Sequence, residues 1–474
     1  MRPLFRSLTA SALALSVAGC TTPNPTPLDK QGDVPTGFTA PITSTAPIWP
    51  ETTWWANFKA DELGPLEDTA QKENLDLAAA AARVIQAEAA DTIAFSGLLP
   101  TASGSFGASR GNSTSFTTRN SFSAGFSAGY QQNFFGQQFD QLQAARESLR
   151  AARYAETVVG LTVESEVANQ YFTVLSLRER LTIANRNIEA AKRILAITQA
   201  KVSSGVSSNL DLAEQQAVVA QQESRLPGLI EQEREARYAL AILMGRAPEG
   251  FDVKAQNLDN ITSPVVRPGL PSELLLRLPD IAEAEANLYA AHANVDAARA
   301  AFFPSLSLTS AAGWASSAIG SLINPSNFVW NIGASVVQSI FDGGRIKAES
   351  DQARARETEL LADYRKAVFT DFGQVESALG TVQATADQLA LLDAEVKADA
   401  EAFRISELQY REGTIDILSL LTAQQNLFAA QDAFVQTKLA RLEANIGLYT
   451  ALGGGWTQAA ADTAYQPQLD WWPL

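Results

Sequence analysis

Little in this 474-residue chain is equipped for covalent chemistry. It has one histidine, His292, and one cysteine, Cys20. A Ser-His-acid triad or a His-based metal site needs more than a single imidazole can supply. No acid, base, nucleophile and metal-ligand set converges anywhere in the sequence, so an enzyme is not expected and neither is a cofactor. His292, alone on a helical stretch, reads as a solvated or hydrogen-bonded side chain. A lone cysteine excludes an intrachain disulfide. The Cys20 thiol is the one reactive group whose surroundings suggest a reaction.

Those surroundings are an export signal. Arg2 and Arg6 give a positive start, and Ser7 to Ala18 form an apolar stretch too short to span a bilayer. The stretch ends in Val17-Ala18-Gly19-Cys20, which resembles a bacterial lipobox. On that reading residues 1–19 are a lipoprotein signal peptide, removed before Cys20, and the thiol is acylated. A plain secretory signal with an incidental cysteine is the alternative. Thr21, where an aspartate would retain the protein at the inner membrane, suggests sorting to the outer membrane. Residues 20–60 then read as a lipid-anchored, Pro-rich tether: seven prolines fall between 21 and 50. Trp49, Trp54 and Trp55 mark the start of packed structure.

The formal net charge of −16 leaves no basic patch to neutralise phosphates, which excludes nucleic acid as a partner. Much of the apolar content is alanine, as in Leu77-Ala78-Ala79-Ala80-Ala81-Ala82, which favours close-packed helices over a thick core.

The body is a repeat. Leu98-Leu99-Pro100 opens one set of elements and Phe302-Phe303-Pro304 the other. Two alternating segments follow each, then a very long helix, a glycine turn and a second helix ending in glycine. The turn glycines Gly205 and Gly413 and the end glycines Gly245 and Gly453 are both separated by 208 positions. The expected units are 61–270 and 271–456, with a C-terminal tail at 457–474. The long helices should span 139–203 and 345–412, each roughly 100 Å if continuous. Apolar residues recur every seventh position: Val167, Val174, Leu181, Ile188, Leu195 and Val202 in the first, and Leu361, Val368, Val375, Val382, Leu389, Val396 and Phe403 in the second. Such a period implies coiled-coil packing against a neighbour.

The strands are more diagnostic. In 121–134 the even positions are Phe122, Ala124, Phe126, Ala128, Tyr130, Gln132 and Phe134, and the odd ones are serine, glycine, glutamine and asparagine. In 328–340 Phe328, Trp330, Ile332 and Val336 alternate with Asn331, Gly333, Ser335 and Ser339. Segments 101–109 and 304–314 follow suit. Strands of about ten residues with one apolar face and one small polar face match transmembrane barrel strands. A soluble sandwich is the alternative. Four strands cannot close a barrel, which takes about eight, and an open edge in lipid leaves backbone groups unpaired. Four per chain therefore implies a barrel shared among identical copies.

Three motifs carry a family resemblance. The central run is Leu278-Pro279-Asp280-Ile281-Ala282-Glu283-Ala284-Glu285, continuing through Ala297-Ala298-Arg299-Ala300-Ala301-Phe302-Phe303-Pro304-Ser305. Phe341-Asp342-Gly343-Gly344-Arg345 opens the second long helix, and Leu452-Gly453-Gly454-Gly455-Trp456 ends the last one. In this order they resemble the TolC-like outer membrane factors, specifically the OprM/NodT-type efflux lipoproteins, over essentially the whole mature chain. One departure is Leu278, where that branch carries a second arginine. The resemblance implies a mainly α fold: long coiled-coil helices forming a periplasmic α-barrel, plus four transmembrane strands per protomer in a twelve-stranded β-barrel. It implies a homotrimer, with an equatorial region built from 246–272 and the tail. It also implies docking to a periplasmic adaptor protein and an inner-membrane resistance-nodulation-division pump, in a passive duct for small molecules.

Site residues follow from the same resemblance. Tyr410 and Asp211 match the pair whose hydrogen bond helps hold the family's periplasmic entrance shut. Asp211 also reads as an acidic first turn after a Ser208 N-cap, and both readings stand. Asp416 matches a pore-facing aspartate, a carboxylate ring under threefold symmetry, or alternatively an N-cap. Ile415 replaces a gating arginine and Ser419 a second ring aspartate, so Ile415 and Leu418 would make the constriction partly apolar. Gly205 and Gly413 are expected as turn residues whose exposed tips meet the adaptor. Rival readings are the outer component of a type I protein-secretion or metal-efflux system and, in another class, an envelope lipoprotein spacer without a channel.

Overall fold

Glycine and proline punctuate this sequence so sparsely between 137 and 203, and between 345 and 412, that helix continues unbroken through both stretches. The computed structural model describes residues 37–39, 49–112, 118–132, 134–265, 269 and 271–456. Cys20, the lipobox and the tail 457–474 lie outside the described residues.

In chain order the elements are α1 (Leu63–Glu73), α2 (Leu75–Ser96), β1 (Thr101–Asn112), β2 (Thr118–Gln132), α3 (Gln137–Ser203), α4 (Asn209–Leu243), α5 (Pro279–Ala300), β3 (Ser305–Ser316), β4 (Phe328–Val337), α6 (Arg345–Glu412) and α7 (Ile417–Ala451). A short 3-10 helix, Trp54–Phe58, precedes them. The two halves match closely. α2 and α5 have 22 residues each, α4 and α7 have 35 each, and α3 and α6 have 67 and 68. α6 occupies the expected span 345–412, and α3 begins two residues before the expected start at 139.

Two compact units emerge, and each draws on both halves of the chain. The first comprises Ala82–Arg153 and Glu283–Ala367. It contains an antiparallel four-stranded sheet in the order β1-β2-β3-β4. Register places Phe106 opposite Ala124, Ala124 opposite Trp314, and Trp314 opposite Phe328, so one face collects the even-numbered aromatics. Opposing residues on antiparallel strands share a face, so the other face collects Ser105, Gly125, Gly313 and their neighbours. The hydroxyls of Ser103 and Ser127 meet there at 2.8 Å. The aromatic face is bare within one chain: Trp330 is 69% and Ile332 77% exposed. β4 ends at Val337 rather than 340, and β1 reaches Asn112 rather than 109. His292 is buried in this unit, its Nδ1 2.7 Å from Glu357.

The second unit comprises the described residues up to Ala81, then Tyr154–Ala282 and the residues from Val368. Its core gathers Trp54, Phe58, Leu63, Val167, Tyr171, Phe172, Leu175, Leu240 and Tyr449. Trp54 stacks on Tyr449 with ring centroids 5.2 Å apart. Segment 246–265 is irregular and is held down by ionic hydrogen bonds. Arg178 donates to Glu233 at 2.9 Å, to the carbonyls of Val253 and Ala255 at 2.6 and 3.0 Å, and to Asp252. Glu62 accepts from the amides of Lys254 and Ala255. These charge-assisted bonds replace the secondary structure this stretch lacks.

The heptad stripes are only partly covered. Val167, Val174, Val368 and Val375 are fully buried, whereas Val382, Leu389 and Val396 are half-buried. Leu391 on α6 is 73% exposed, and Ile405 and Leu408 are exposed too. A single chain leaves an apolar face of α6 without a partner.

Candidate gate at the helical hairpin turns

The two turns joining α3 to α4 and α6 to α7 are built alike. After α3, Gly205 adopts φ +74°, its amide donates to the Val202 carbonyl at 3.0 Å, and the Val206 amide donates back to Lys201 at 2.9 Å. After α6, Gly413 adopts φ +77°, its amide donates to Tyr410 at 3.1 Å, and the Thr414 amide donates to Gln409 at 2.9 Å. This is a Schellman ending, which needs a left-handed residue that glycine supplies without steric cost. Gly205 has open space where a Cβ would stand, so conformation and not crowding sets its identity.

Each turn then enters its next helix through an acidic cap. Ser208 and Asp211 form a reciprocal capping box at the start of α4. The Ser208 hydroxyl accepts from the Asp211 amide at 3.2 Å, and the Asp211 carboxylate accepts from the Ser208 amide at 3.1 Å. The Ser207 and Ser208 hydroxyls also donate to Asp211. These donors, Ser207 first, hold the Asp211 pKa below the ordinary carboxylate value. Asp416 is the N-cap of α7 and accepts from the Ser419 amide at 2.9 Å. Hydrogen bonds from Ser419 depress its pKa, while the nearby negative charge of Asp211 works the other way. The capping reading of both aspartates is thus realised, and the turn geometry brings their charges within reach of each other.

Tyr410 does something else. Its ring is buried, and its hydroxyl lies 3.0 Å from the Thr198 hydroxyl on α3. Lys201, one turn further along α3, donates its amine to the Tyr410 carbonyl at 2.5 Å and sits 4.7 Å from the centre of the ring. Among the described residues no hydrogen bond joins Tyr410 to Asp211: Tyr410 pairs with Thr198 and Lys201, and Asp211 with Ser207 and Ser208. Thr198 and Lys201 were not singled out from the sequence. A signal existed: a lysine in the last turn before a C-terminal glycine is a common partner for the final carbonyls, although here it serves the neighbouring helix.

Around this clasp lies a second apolar core of Ala191, Ile194, Phe403, Leu420, Leu421 and Phe428, with the Phe403 and Phe428 centroids 6.4 Å apart. Ile415 packs against it partly buried, and Leu418 is 63% exposed. Val206 and Leu210 are exposed as well, so the turn tips present apolar side chains outwards. Among the described residues no cluster of His, Cys, Asp or Glu could hold a metal ion, and no helix is long and apolar enough to cross a membrane.

Comparison with known proteins gives a consistent picture. Residues 66–246 and 270–454 match the family model described as outer membrane efflux protein. The pyoverdine export outer membrane protein OpmQ of Pseudomonas aeruginosa is 40% identical over 463 residues, covering 95% of this chain and 96% of the relative. The cation efflux system protein CusC of Escherichia coli K12 is 32% identical over 410 residues, covering 85% and 88%. Among solved structures, the open state of the Neisseria gonorrhoeae MtrE outer membrane channel superposes with a TM-score of 0.83 at 30% identity, covering 92% of this chain and 99% of that one.

Proposed function

This chain belongs to the outer membrane efflux protein family and is an outer membrane channel of a tripartite efflux pump, and on that premise we propose how its residues build and close the conduit. Three copies join their four-stranded sheets into one twelve-stranded barrel. The sheet's unpaired outer strands, β1 and β4, support this reading. In lipid each unpaired backbone group would cost several kcal/mol, so the edges must meet those of other copies. The bare aromatic face meets lipid and the serine and glycine face lines the lumen. The exposed apolar residues of α6, Leu391, Ile405 and Leu408, pack against the neighbouring copies.

The helical hairpin turns form the periplasmic entrance. Tyr410, Thr198 and Lys201 clamp the ends of α3 and α6 to each other in every copy. Asp211 and Asp416 order the starts of α4 and α7 and place carboxylates at the turns, while Ile415 and Leu418 narrow the opening. The tips at Gly205 and Gly413 meet a periplasmic adaptor, which couples the duct to an inner-membrane pump of the resistance-nodulation-division type. Acylated Cys20 anchors the chain to the membrane. The protein catalyses nothing; it lowers a barrier to diffusion.

The cargo is small and organic rather than a soft metal ion. The two methionines are Met1 and Met244, and Met244 and the single histidine are both buried, so few thioether or imidazole ligands remain to line a pore for soft cations. The single observation that carries the conduit reading is the amphipathic four-stranded sheet with two open edges. Native mass measurement of the detergent-purified protein, with planar-bilayer recording, tests it: a trimer that conducts is expected. A monomer without conductance would refute it.

A further inference from the structure

The charge of this chain is unevenly spread. Of its residues 36 are Lys or Arg and 52 are Asp or Glu, yet residues 101–132 and 305–337 hold two charged side chains between them, Arg110 and Arg119. Both lie at the hairpin end of β1 and β2. The opposite ends of the four strands, Thr101, Gln132, Ser305 and Val337, lead to helices α2, α3, α5 and α6. In a channel whose helices extend into the periplasm, the hairpin end therefore faces outwards.

The register puts the two arginines on different faces. Arg119 stands opposite Gly111, on the face of Ser121, Ser123 and Gly125. Arg110 stands opposite Asn120, continuing the face of Phe106, Ala108 and Phe122. Both side chains are exposed, and no hydrogen bond or ion pair engages either among the described residues. The residue opposite Arg119 is glycine, and the strand sequences hold no acidic side chain to pair with its charge. An uncompensated charge in a narrow aqueous passage with low-dielectric walls acts strongly on passing ions.

We propose that Arg119, repeated around the closed barrel, forms a cationic collar at the outward end of the lumen that favours anionic solutes, those bearing carboxylate, sulfonate or phosphate groups. Arg110 sits on the lipid side and takes no part in this selection. The inference rests on the shared-barrel reading above, because one arginine becomes a ring only when identical copies close the sheet. It makes the outlet a second selective element, separate from the acidic turns at Asp211 and Asp416.

Reversal potentials of the purified full-length protein in planar bilayers, under a potassium chloride gradient, test the collar. Relative to the unmodified protein, Arg119→Glu shifts the reversal potential towards cation selectivity, and Arg119→Gln gives an intermediate shift. Arg110→Glu leaves it unchanged. The Arg119 effect should be present near 0.1 M salt, where the Debye length is about 10 Å, and fade near 1 M, where it is about 3 Å. Equal reversal potentials for the unmodified and Arg119→Glu channels at low salt, or a shift produced by Arg110→Glu instead, would overturn the collar while leaving the conduit intact. Loss of all conductance from all the proteins would sink the conduit reading itself, and the collar with it.

Discussion

The hydroxyls of Tyr410 and Thr198 lie 3.0 Å apart, although they stand 212 positions apart in the chain, and so tie the last turn of α6 to the penultimate turn of α3. Thr198 also donates to the Ile194 carbonyl at 3.0 Å, so its proton is committed to its own helix and the tyrosine is the donor across the gap. With Lys201 on the Tyr410 carbonyl and ring, the two helices share a three-residue clasp.

Loosening that clasp should favour the open entrance. Tyr410→Phe removes one hydrogen bond between neutral groups, about 0.5–1.5 kcal/mol per copy. Lys201→Gln removes a cation at the helix end and over the ring, on the order of 1 kcal/mol per copy. Each change should raise mean single-channel conductance, and Thr198→Val should add little once Tyr410 is Phe. Unchanged conductance in the Tyr410→Phe, Lys201→Gln double variant would show that the clasp does not govern the entrance.

The capping box predicts a local effect. Ser208→Ala removes the acceptor for the Asp211 amide and should weaken the start of α4 by about 1 kcal/mol. Hydrogen exchange at residues 209–212 should accelerate severalfold, with little change elsewhere in α4. Equal protection in the two proteins would show that the cap contributes nothing.

Protonation should shape stability in the second unit. Glu67 on α1 is fully buried and neither carboxylate oxygen has a hydrogen-bond partner. Burial, then the charges of Glu164 and Asp68, push its pKa up to about 10. Glu164 on α3 is pushed up to about 7 by burial, against hydrogen bonds from Gln71 and Trp54. In the unfolded chain both would lose their protons above roughly pH 4. The folded form binds more protons from there upwards, so these groups lower stability as pH rises, Glu164 until about 7 and Glu67 until about 10. Glu67→Gln stays neutral and should gain thermal midpoint over the unmodified protein, more at pH 9 than at pH 5. A gain independent of pH would contradict this assignment.

Assembly should depend on the uncovered face of α6. Leu391→Asp puts a carboxylate where an apolar contact with another copy is proposed, forfeiting about 1.5–3 kcal/mol of burial and adding a desolvation cost. Native mass spectra should shift from trimer towards monomer, while circular dichroism of the remaining helix is retained. An undisturbed trimer would place Leu391 outside the contact.

The sequence by itself determined the duplicated architecture, the length of the four principal helices, the faces of the strands and the left-handed turn glycines. Each depends on order along the chain: period two for the sheet, period seven for the helices, and a glycine wherever a helix must turn back. Tertiary structure alone decided the partner of Tyr410, the burial of His292 against Glu357, and the bonds that secure 246–265 through Arg178 and Glu62. Spacing places Tyr410 three residues before Gly413, but which hydroxyl or carboxylate meets it depends on the relative phase and level of two helices whose ends are brought together by folding. That arrangement set it against Thr198 and left Asp211 to cap its own helix.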